Sequence, residues 1–598
     1  FLYRECFYST NESKEGMIEL NKQRQDYVDA RGKVVLNACP GSGKTTTIAY
    51  KLHILIENEY KLVNSEGIAC LSFTNVAKDE IKQKYFEFSK KTLSYPHTVA
   101  TIDSFINTYI TLPFYYLSTE KYQRPNILDE NSILDTFHIN GLWDYKSKKH
   151  RHLNNEGKPL IFIYKPSSIV KDLNGEYTSN GNLPDLLKVE TAVFNDYAKT
   201  IKTWQFEKGI LTNSDSTIIA YNILNKFPHV TKSLALRFKH IIIDEAQDTS
   251  EIQHAIFQKL IDNGLENIEF IGDPYQSLYV WRNAKPKVFM NKYSDPEWQG
   301  LDLGDNWRST KKIIETYSRL RNLTDKTIIA RNKSEIEHPI YILTFEKDNE
   351  KQALEKYKKL CICYKDNRVV TRGVELSDKL NEISKNPNDY WKNSLGLKII
   401  TSVIHMKDNN IKLALDTFRS AVNDILNPKL DYKTKREKLK ELKSDYNLNA
   451  EFSKLLIEFS DFNTSLTEWT KKTSERLTVL LKLTTPLDFQ LKEGTFRPKH
   501  KQLMVDLFFN KKMKWSFPIS TIHKVKGMTL DTILLFLHKD GHSISLKDIT
   551  PSNGILTEKQ TMIYVAMSRP RHLLAIAIED TVEIKKINEK LGDDIKII

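Results

Sequence analysis

Cysteine is scarce in this chain: five residues, an odd number, with no CxxC pair. That excludes a disulfide scaffold, and Cys361-Ile362-Cys363 stands too isolated for a zinc or iron–sulfur site; the count fits reduced thiols in a cytoplasm. Long hydrophobic runs are missing as well. No apolar stretch reaches the roughly 18 residues that a membrane span needs. The first residues, Phe1-Leu2-Tyr3-Arg4-Glu5, lack the apolar centre and cleavage site of a signal peptide. Glycine and proline number 21 and 19 in 598 residues, and no repeat or low-complexity linker is visible, which excludes collagen-like and disordered chains.

What is present is 40% hydrophobic and 28% charged residues, enough apolar material for several domains. Lys+Arg number 89 against 76 Asp+Glu, a net charge of +13. Such an excess favours a polyanionic partner through counterion displacement, although solubility alone also accounts for it. Abundant Lys, Asn and Ile fit an AT-rich prokaryotic genome.

Short apolar runs alternating with amphipathic stretches predict βαβ units over 33–110. Val34–Ala38 and Gly67–Phe73 read as buried strands, and Thr46–Glu57 as a helix between them. The pattern returns at Lys239–Asp244 and Ile268–Asp273, and again at Ile340–Leu343, Arg368–Thr371, Ile519–Ile522 and Thr532–Phe536. Two α/β cores are expected, each with an insertion. The first would comprise 1–110 and 231–309, interrupted by 111–230 with its basic tract Lys146–His152. The second would comprise 310–375 and 513–598, interrupted by a helical, Lys-rich 376–512. The cluster Lys433, Lys435, Arg436, Lys438, Lys440 and Lys443 reads as a solvated helix face before it reads as a nucleic-acid contact.

Ala38-Cys39-Pro40-Gly41-Ser42-Gly43-Lys44-Thr45 lies between a predicted strand and a predicted helix, the setting of a phosphate-binding loop. Glycines let backbone N–H groups approach phosphates at the positive end of the helix. Lys44 would reach the β- and γ-phosphates and the Thr45 hydroxyl would ligate Mg²⁺. Asp244-Glu245-Ala246-Gln247-Asp248 closes a later apolar strand. Asp244 can hold the same Mg²⁺, and Glu245 can orient and deprotonate an attacking water.

Together these segments resemble a superfamily 1 helicase of the UvrD/Rep type, and the resemblance continues in order. Phe73-Thr74-Asn75-Val76-Ala77-Lys78-Asp79-Glu80 resembles motif Ia, and Thr101-Ile102-Asp103-Ser104-Phe105 resembles Ib. Gly272-Asp273-Pro274-Tyr275-Gln276-Ser277-Leu278-Tyr279-Val280-Trp281-Arg282 resembles motif III and Asn306-Trp307-Arg308-Ser309-Thr310 motif IV. Thr521-Ile522-His523-Lys524-Val525-Lys526-Gly527 resembles V, and Tyr564-Val565-Ala566-Met567-Ser568-Arg569 resembles VI. The resemblance implies two RecA-like P-loop domains, each with an inserted, mainly helical subdomain. It implies ATP and Mg²⁺ as cofactors, and single-stranded DNA or a tailed duplex as partner. Gln276 would sense the γ-phosphate, and Arg308 and Arg569 would be arginine fingers. Phe73, Tyr279 and Trp281 match base-stacking positions. Thr74, Asn75, Thr101, Ser104, Arg282, Arg372 and His523 match backbone-contacting or coupling positions.

Three departures fall on the base-and-sugar side. The family's LNxxQxxAV segment here reads Leu20-Asn21-Lys22-Gln23-Arg24-Gln25-Asp26-Tyr27-Val28, with Arg24 at the glutamine position and a glutamine on either side. An arginine that often follows the P-loop threonine is Thr46, although Trp307 retains the adenine-stacking position. Gly527-Met528-Thr529 replaces the usual Gly-Leu-Glu, whose Glu touches ribose. The expectation is relaxed nucleotide selectivity, with dATP or GTP also hydrolysed.

The resemblance implies a translocase and helicase moving 3′ to 5′, a polarity that DEAQD favours over the DEAxQ pattern of other branches. A second reading is a DNA-activated ATPase that serves a separate nuclease in anti-phage defence of the Gabija type, favoured by an insertion at 376–512 that is short for a repair helicase. A helicase–nuclease fusion of the RecB or AddA type is set aside, since only the segment from Arg569 to Ile598 follows the last motif. A catalytically dead scaffold is disfavoured by the presence of Lys44, Glu245, Arg308 and Arg569.

Overall fold

The computed structural model describes residues 19–60, 66–118, 124–127, 152–179, 184–185, 188–207, 209–278, 285–332, 334, 336–380, 390–392, 394–407, 411–428, 430, 432–492, 500–509, 515, 517–538, 543–582, 584–592 and 594–598. The chain divides into two compact units. One runs through Val374 and resumes over Ile519–Ile598; the other is Glu375–Pro518.

The larger unit is built on two parallel sheets. The strands of the first are β1 (Lys33–Ala38), β2 (Gly67–Ser72), β3 (Thr98–Thr101), β4 (Phe238–Ile243), β5 (Asn267–Gly272) and β6 (Gln299–Leu303), in the spatial order β6-β1-β5-β4-β2-β3. After a short pair, β7 (Asp305–Asn306) with β8 (Ile329–Ala330), comes the second sheet. Its strands are β9 (Ile340–Phe345), β10 (Asn367–Thr371), β11 (Ile519–Thr521), β12 (Leu530–Phe536), β13 (Pro570–Glu579) and β14 (Ile595–Ile597), ordered β11-β10-β12-β13-β9-β14. Every ladder in both sheets is parallel.

Parallel strands covered on both faces need apolar residues in succession, which is why these segments read as runs. Successive side chains go to opposite faces. Val35, Ile241 and Ile243 enter one cluster of the first sheet, while Val34, Leu36 and Ile242 enter the other. The second cluster is covered by α2 (Lys44–Asn58) through Ile48, Leu52 and Leu55, and by α3 (Asn75–Ser89) through Ile81 and Tyr85. The first is covered by α4 (Asn213–Lys226), α5 (Pro228–Arg237) and α6 (Glu251–Asp262). The first sheet's layer thus resumes at Asn213, ahead of the expected boundary at 231, because Ala220, Ile223, Leu234 and Ala235 bury their faces against its strands. Before that point, helix Thr191–Glu207 and the hairpin Ile169–Lys171/Tyr177–Ser179 gather a small core of their own around Phe194, Tyr197 and Ile201. The basic tract expected at Lys146–His152 lies outside the described residues except for His152, which bonds Asp196 at 2.8 Å.

The second unit is helical, with helices at Ser394–Lys407, Ile411–Leu426, Tyr432–Ser444, Tyr446–Glu458 and Leu466–Leu480 around Ile399, Phe418, Phe452, Leu456 and Trp469. Its lysines Lys435, Lys438 and Lys443 pair with Asp424, Glu441 and Asp416 of the same unit, as a solvated helix face does. No helix among the described residues is long and apolar enough to cross a membrane.

Candidate active site

The segment after β1 turns at Gly41 (φ 73°) and Gly43 (φ 78°), and α2 begins at Lys44. Both φ values lie in the left-handed region that favours glycine. A Cβ on Gly41 would stand 2.6 Å from Arg308 Cβ, and one on Gly43 would stand 2.7 Å from an Arg24 nitrogen. The loop therefore lies directly under the segment after β7. Trp307 N–H donates to Gly41 O at 2.9 Å, and Asn306 Nδ2 donates to Pro40 O at 2.7 Å. Asn306 Oδ1 in turn accepts from the N–H groups of Arg308 and Ser309, so one buried amide fixes the loop and the Arg308-bearing segment together.

A cavity of about 330 Å³ opens over the C-terminal ends of the central strands. It is lined by the whole P-loop from Ala38 to Thr46, by Asp244, Glu245 and Gln276, and by Trp307, Arg308 and Arg569. Every catalytic and nucleotide-contacting residue expected from the sequence is thus brought to one place. Lys44 Nζ sits 3.0 Å from Asp244 and 2.6 Å from Glu245. Burial alone would lower its pKa, but these two carboxylates hold the ammonium well above its ordinary value. Burial raises Asp244 above the usual carboxylate range; burial pushes Glu245 the same way, but Lys44 and Lys526 overcome it and hold Glu245 down at about 2. Glu245 adopts φ 55°, a left-handed conformation costly for a side-chain-bearing residue. Gln247 Nε2 holds its carboxylate at 2.5 Å.

The two arginines face this acidic pair from the second sheet's side. Arg569 follows α7 (Glu558–Met567) and donates to Val565 O, Ser568 Oγ and the Gln276 amide oxygen. Arg308 donates to Ser568 O at 3.1 Å. Neither forms an ion pair among the described residues. Burial, and after it the neighbouring Arg569 cation, lowers Arg308 to about 9, with Glu80 opposing. Two neighbouring guanidiniums without an ion-pair partner among the described residues suit a bound anion. Its donor set fits a nucleotide triphosphate with Mg²⁺: helix N-terminus, lysine, hydroxyl, carboxylate and two arginines. No cluster of three His, Cys, Asp or Glu able to hold a metal occurs among the described residues, so Thr45 and Asp244 would share the ion with phosphate oxygens and water.

Several lining residues have no role that the sequence expectation assigns. Lys526 forms an ion pair with Asp248 and donates to Gln276 O at 3.0 Å, bridging the two cores. Burial raises Asp248 to about 6 against the pull of Lys526. Arg571 and Thr529 also line the cavity. A lysine inside the segment resembling motif V is the one signal for Lys526; nothing local marks Asp248 as its partner.

The expected DNA residues divide. Phe73 and Asn75 lie after β2, Thr101 and Ser104 at the end of β3, Arg372 after β10 and His523 after β11, so they gather at the C-terminal ends of neighbouring strands in each sheet. Thr74 also lines the nucleotide cavity, and its hydroxyl accepts from Ala77 N–H as the N-cap of α3. The Thr101 hydroxyl likewise accepts from Ser104 N–H. His523 is lowered by burial, with Glu558 opposing and Lys526 and Arg372 assisting. Tyr279, Trp281 and Arg282 lie outside the described residues.

Residues 20–297 match the UvrD/REP helicase N-terminal domain, and 305–581 match the UvrD-like helicase C-terminal domain. The chain belongs to the UvrD/Rep helicase family. Among relatives of this UvrD/Rep member, a probable DNA helicase II homolog of Mycoplasma genitalium is 22% identical over 93% of this chain and 84% of its own length. The Gabija protein GajB of Bacillus cereus is 24% identical over 60% of this chain and 61% of its own. The ATP-dependent DNA helicase PcrA of Staphylococcus aureus is 24% identical over 49% of this chain and 39% of its own. Against a longer ATP-dependent helicase/nuclease protein of Lysinibacillus sphaericus, 30% identical over 34% of this chain, the match spans only 17% of the relative's length.

Proposed function

We propose that this chain hydrolyses ATP with Mg²⁺ and uses the cycle to move 3′ to 5′ along single-stranded DNA in a prokaryotic cytoplasm. The observation that carries the reading is the convergence, in one cavity, of Lys44, Asp244 and Glu245 from the first sheet with Arg308 and Arg569 facing them. Lys44 would leave its carboxylate partners for the β- and γ-phosphates. Thr45 and Asp244 would hold the metal, and Glu245 would orient and deprotonate water. The two arginines would meet charge developing on the transferring phosphoryl group. Gln276, which accepts from Arg569 and whose carbonyl accepts from Lys526, would pass the state of that group to the second core.

The DNA strand would lie across the β2–β3 end of the first sheet and the β10–β11 end of the second, contacting Phe73, Asn75, Thr101, Ser104, Arg372 and His523, with Tyr279, Trp281 and Arg282 contributing stacking and charge. Opening and closing of the cleft between the sheets would then shift one set of contacts relative to the other. A second reading, a DNA-activated ATPase serving a separate nuclease in phage defence, is favoured by the similarity to a Gabija protein.

The test is ATP hydrolysis with and without single-stranded DNA, with Lys44→Ala as control, followed by unwinding of 3′- and 5′-tailed duplexes. Strong stimulation lost in the variant, with displacement of the 3′-tailed substrate only, is the expected result. Stimulation without strand displacement would move the assignment to the second reading. Activity indifferent to DNA would overturn the motor.

A further inference from the structure

β5 is anchored inside the first core, where the Tyr27 hydroxyl of α1 (Lys22–Asp29) donates to Glu269 at 2.6 Å. Beyond Gly272 the chain changes company. Pro274–Gln276 forms a single turn capped by Asp273, whose carboxylate accepts from Tyr275 N–H at 3.0 Å and from Gln276 Nε2 at 2.7 Å. Tyr275 and Leu278 then enter the hydrophobic cluster of the second sheet, with Ile313, Tyr317, Leu320 and Tyr564. The Tyr275 ring lies 5.6 Å from that of Tyr564 on α7, which meets Tyr317 edge-on at 5.2 Å. A stretch of the first core is thus packed as part of the second.

The tyrosine hydroxyl is held there by the segment that follows helix Lys311–Ser318. It donates to Asp325 Oδ2 at 2.6 Å and accepts from Asn322 N–H at 3.2 Å. Burial, and after it the bond to Asp325, pushes the Tyr275 phenol up to about 12, so it stays a donor. Arg321 completes the group. Its guanidinium pairs with Asp325 at 3.4 Å, lies 5.5 Å from the centre of the Tyr275 ring and donates to Lys326 O at 3.1 Å. That cation offsets the cost of keeping a carboxylate against a buried ring. Arg321, Asn322 and Asp325 all lie between the segments that resemble motifs IV and V.

Gln276 follows Tyr275 directly. Its Nε2 is committed to Asp273, its Oε1 to Arg569 and its carbonyl to Lys526. The side chain is therefore tethered to the first core through Asp273, while the adjoining residue is carried by the second through Tyr275. Where the amide comes to rest depends on both tethers, and a displacement of about 1 Å at such a group can cost about a hundredfold in rate.

We infer that Asp325, backed by Arg321, is a positioning residue for hydrolysis: through the Tyr275 hydroxyl it sets the place of Gln276 beside the γ-phosphate. This deepens the proposed nucleotide-driven activity, on which it rests, with a pair of residues that no motif contains.

The experiment measures kcat and KM for ATP, with saturating single-stranded DNA, in wild type, Tyr275→Phe, Asp325→Ala and Asp325→Asn, and in the first two variants combined with Gln276→Ala. Tyr275→Phe and Asp325→Ala should each lower kcat about tenfold while KM moves little. Asp325→Asn, whose amide oxygen still accepts, should recover most of the rate. With Gln276→Ala already present, neither change should lower kcat further, because residues that act through one group are not additive. A bond that only held the fold together would multiply its cost instead. Tyr275→Phe removes one oxygen and keeps the ring's packing, so it decides the matter should Asp325→Ala fail to fold. Should Gln276→Ala fall to the level of Lys44→Ala, recovery in Asp325→Asn decides, with urea unfolding midpoints of Asp325→Ala and Asp325→Asn shown to be equal. An unchanged kcat in Tyr275→Phe overturns the inference, as does a loss that multiplies with that of Gln276→Ala or one that Asp325→Asn leaves unrecovered. Failure of the underlying activity looks different: the wild-type protein itself would show no hydrolysis that Lys44→Ala abolishes.

Discussion

The two parallel sheets repeat one frame. Read in space, β6-β1-β5-β4-β2-β3 in the first corresponds strand for strand to β14-β9-β13-β12-β10-β11 in the second. The β1 place carries the glycine loop and Lys44. The equivalent β9 ends at Phe345 and reaches its helix, Lys351–Leu360, through a turn with no phosphate-loop glycine or lysine-threonine pair. At the opposite end the frames stay alike: Thr101-Ile102 at the end of β3 corresponds to Thr521-Ile522 at the end of β11, and both threonines stand at a helix N-cap. Repetition has thus been kept where a strand of DNA would span both sheets, and abandoned where the nucleotide sits. One frame would hold the phosphates, and the other would supply Arg569.

That division of labour can be broken by experiment. Arg569→Ala should lower kcat about 10³-fold or more while KM moves little, whereas Lys44→Ala should affect both. Steady-state kinetics with DNA check this, and a large KM change in Arg569→Ala would blur the distinction. A second contrast lies in how the frames are held. The first contains a fully buried ion cluster, in which Glu269 binds Lys51 at 2.7 Å, His240 at 2.6 Å and Tyr27 OH at 2.6 Å. The second has a neutral counterpart, Tyr357–Thr532–Asn367. Lys51→Met strands a buried carboxylate and should cost about 3–5 kcal/mol in urea unfolding, against about 1 kcal/mol for Thr532→Val. The smallest expected effect concerns the Lys526–Asp248 bridge between the frames. With Asp248 at about 6, its ionised, paired form is lost as pH falls through that value, so turnover should drop on the acid side. Asp248→Asn should remove that limb from the pH profile. For stability the sign is opposite: the raised carboxyl pKa favours the fold at low pH, a contribution lost as pH rises through about 6.

Much of this arrangement is visible in the amino acids because fully buried strands leave apolar runs and the phosphate loop leaves its glycines. The edge strand β6, Gln299-Gly300-Leu301-Asp302-Leu303, leaves no such run, and only its ladder to β1 reveals it. α4 and α5 advertise an apolar face without saying which surface it will cover. Lys526 and Asp248 stand 278 residues apart, and no local pattern joins them. Arg24 is visible as a departure from the family pattern, but only the structure shows its guanidinium over the Trp307 ring while Gln23 and Gln25 bond elsewhere.

The segment from Asn306 to Thr310 is an axle. At one end Asn306 and Trp307 are bonded to the P-loop. At the other, Ser309 Oγ donates to Pro570 O at 2.7 Å, and Thr310 N–H donates to Arg571 O at 3.2 Å. The segment is thus bonded to the first sheet's loop at one end and to β13 of the second sheet at the other, with Arg308 between. If the sheets turn about it in the proposed cycle, Arg308 would stay near the axis while Arg569, after α7, would travel, and only the second charge would report the closing of the cleft.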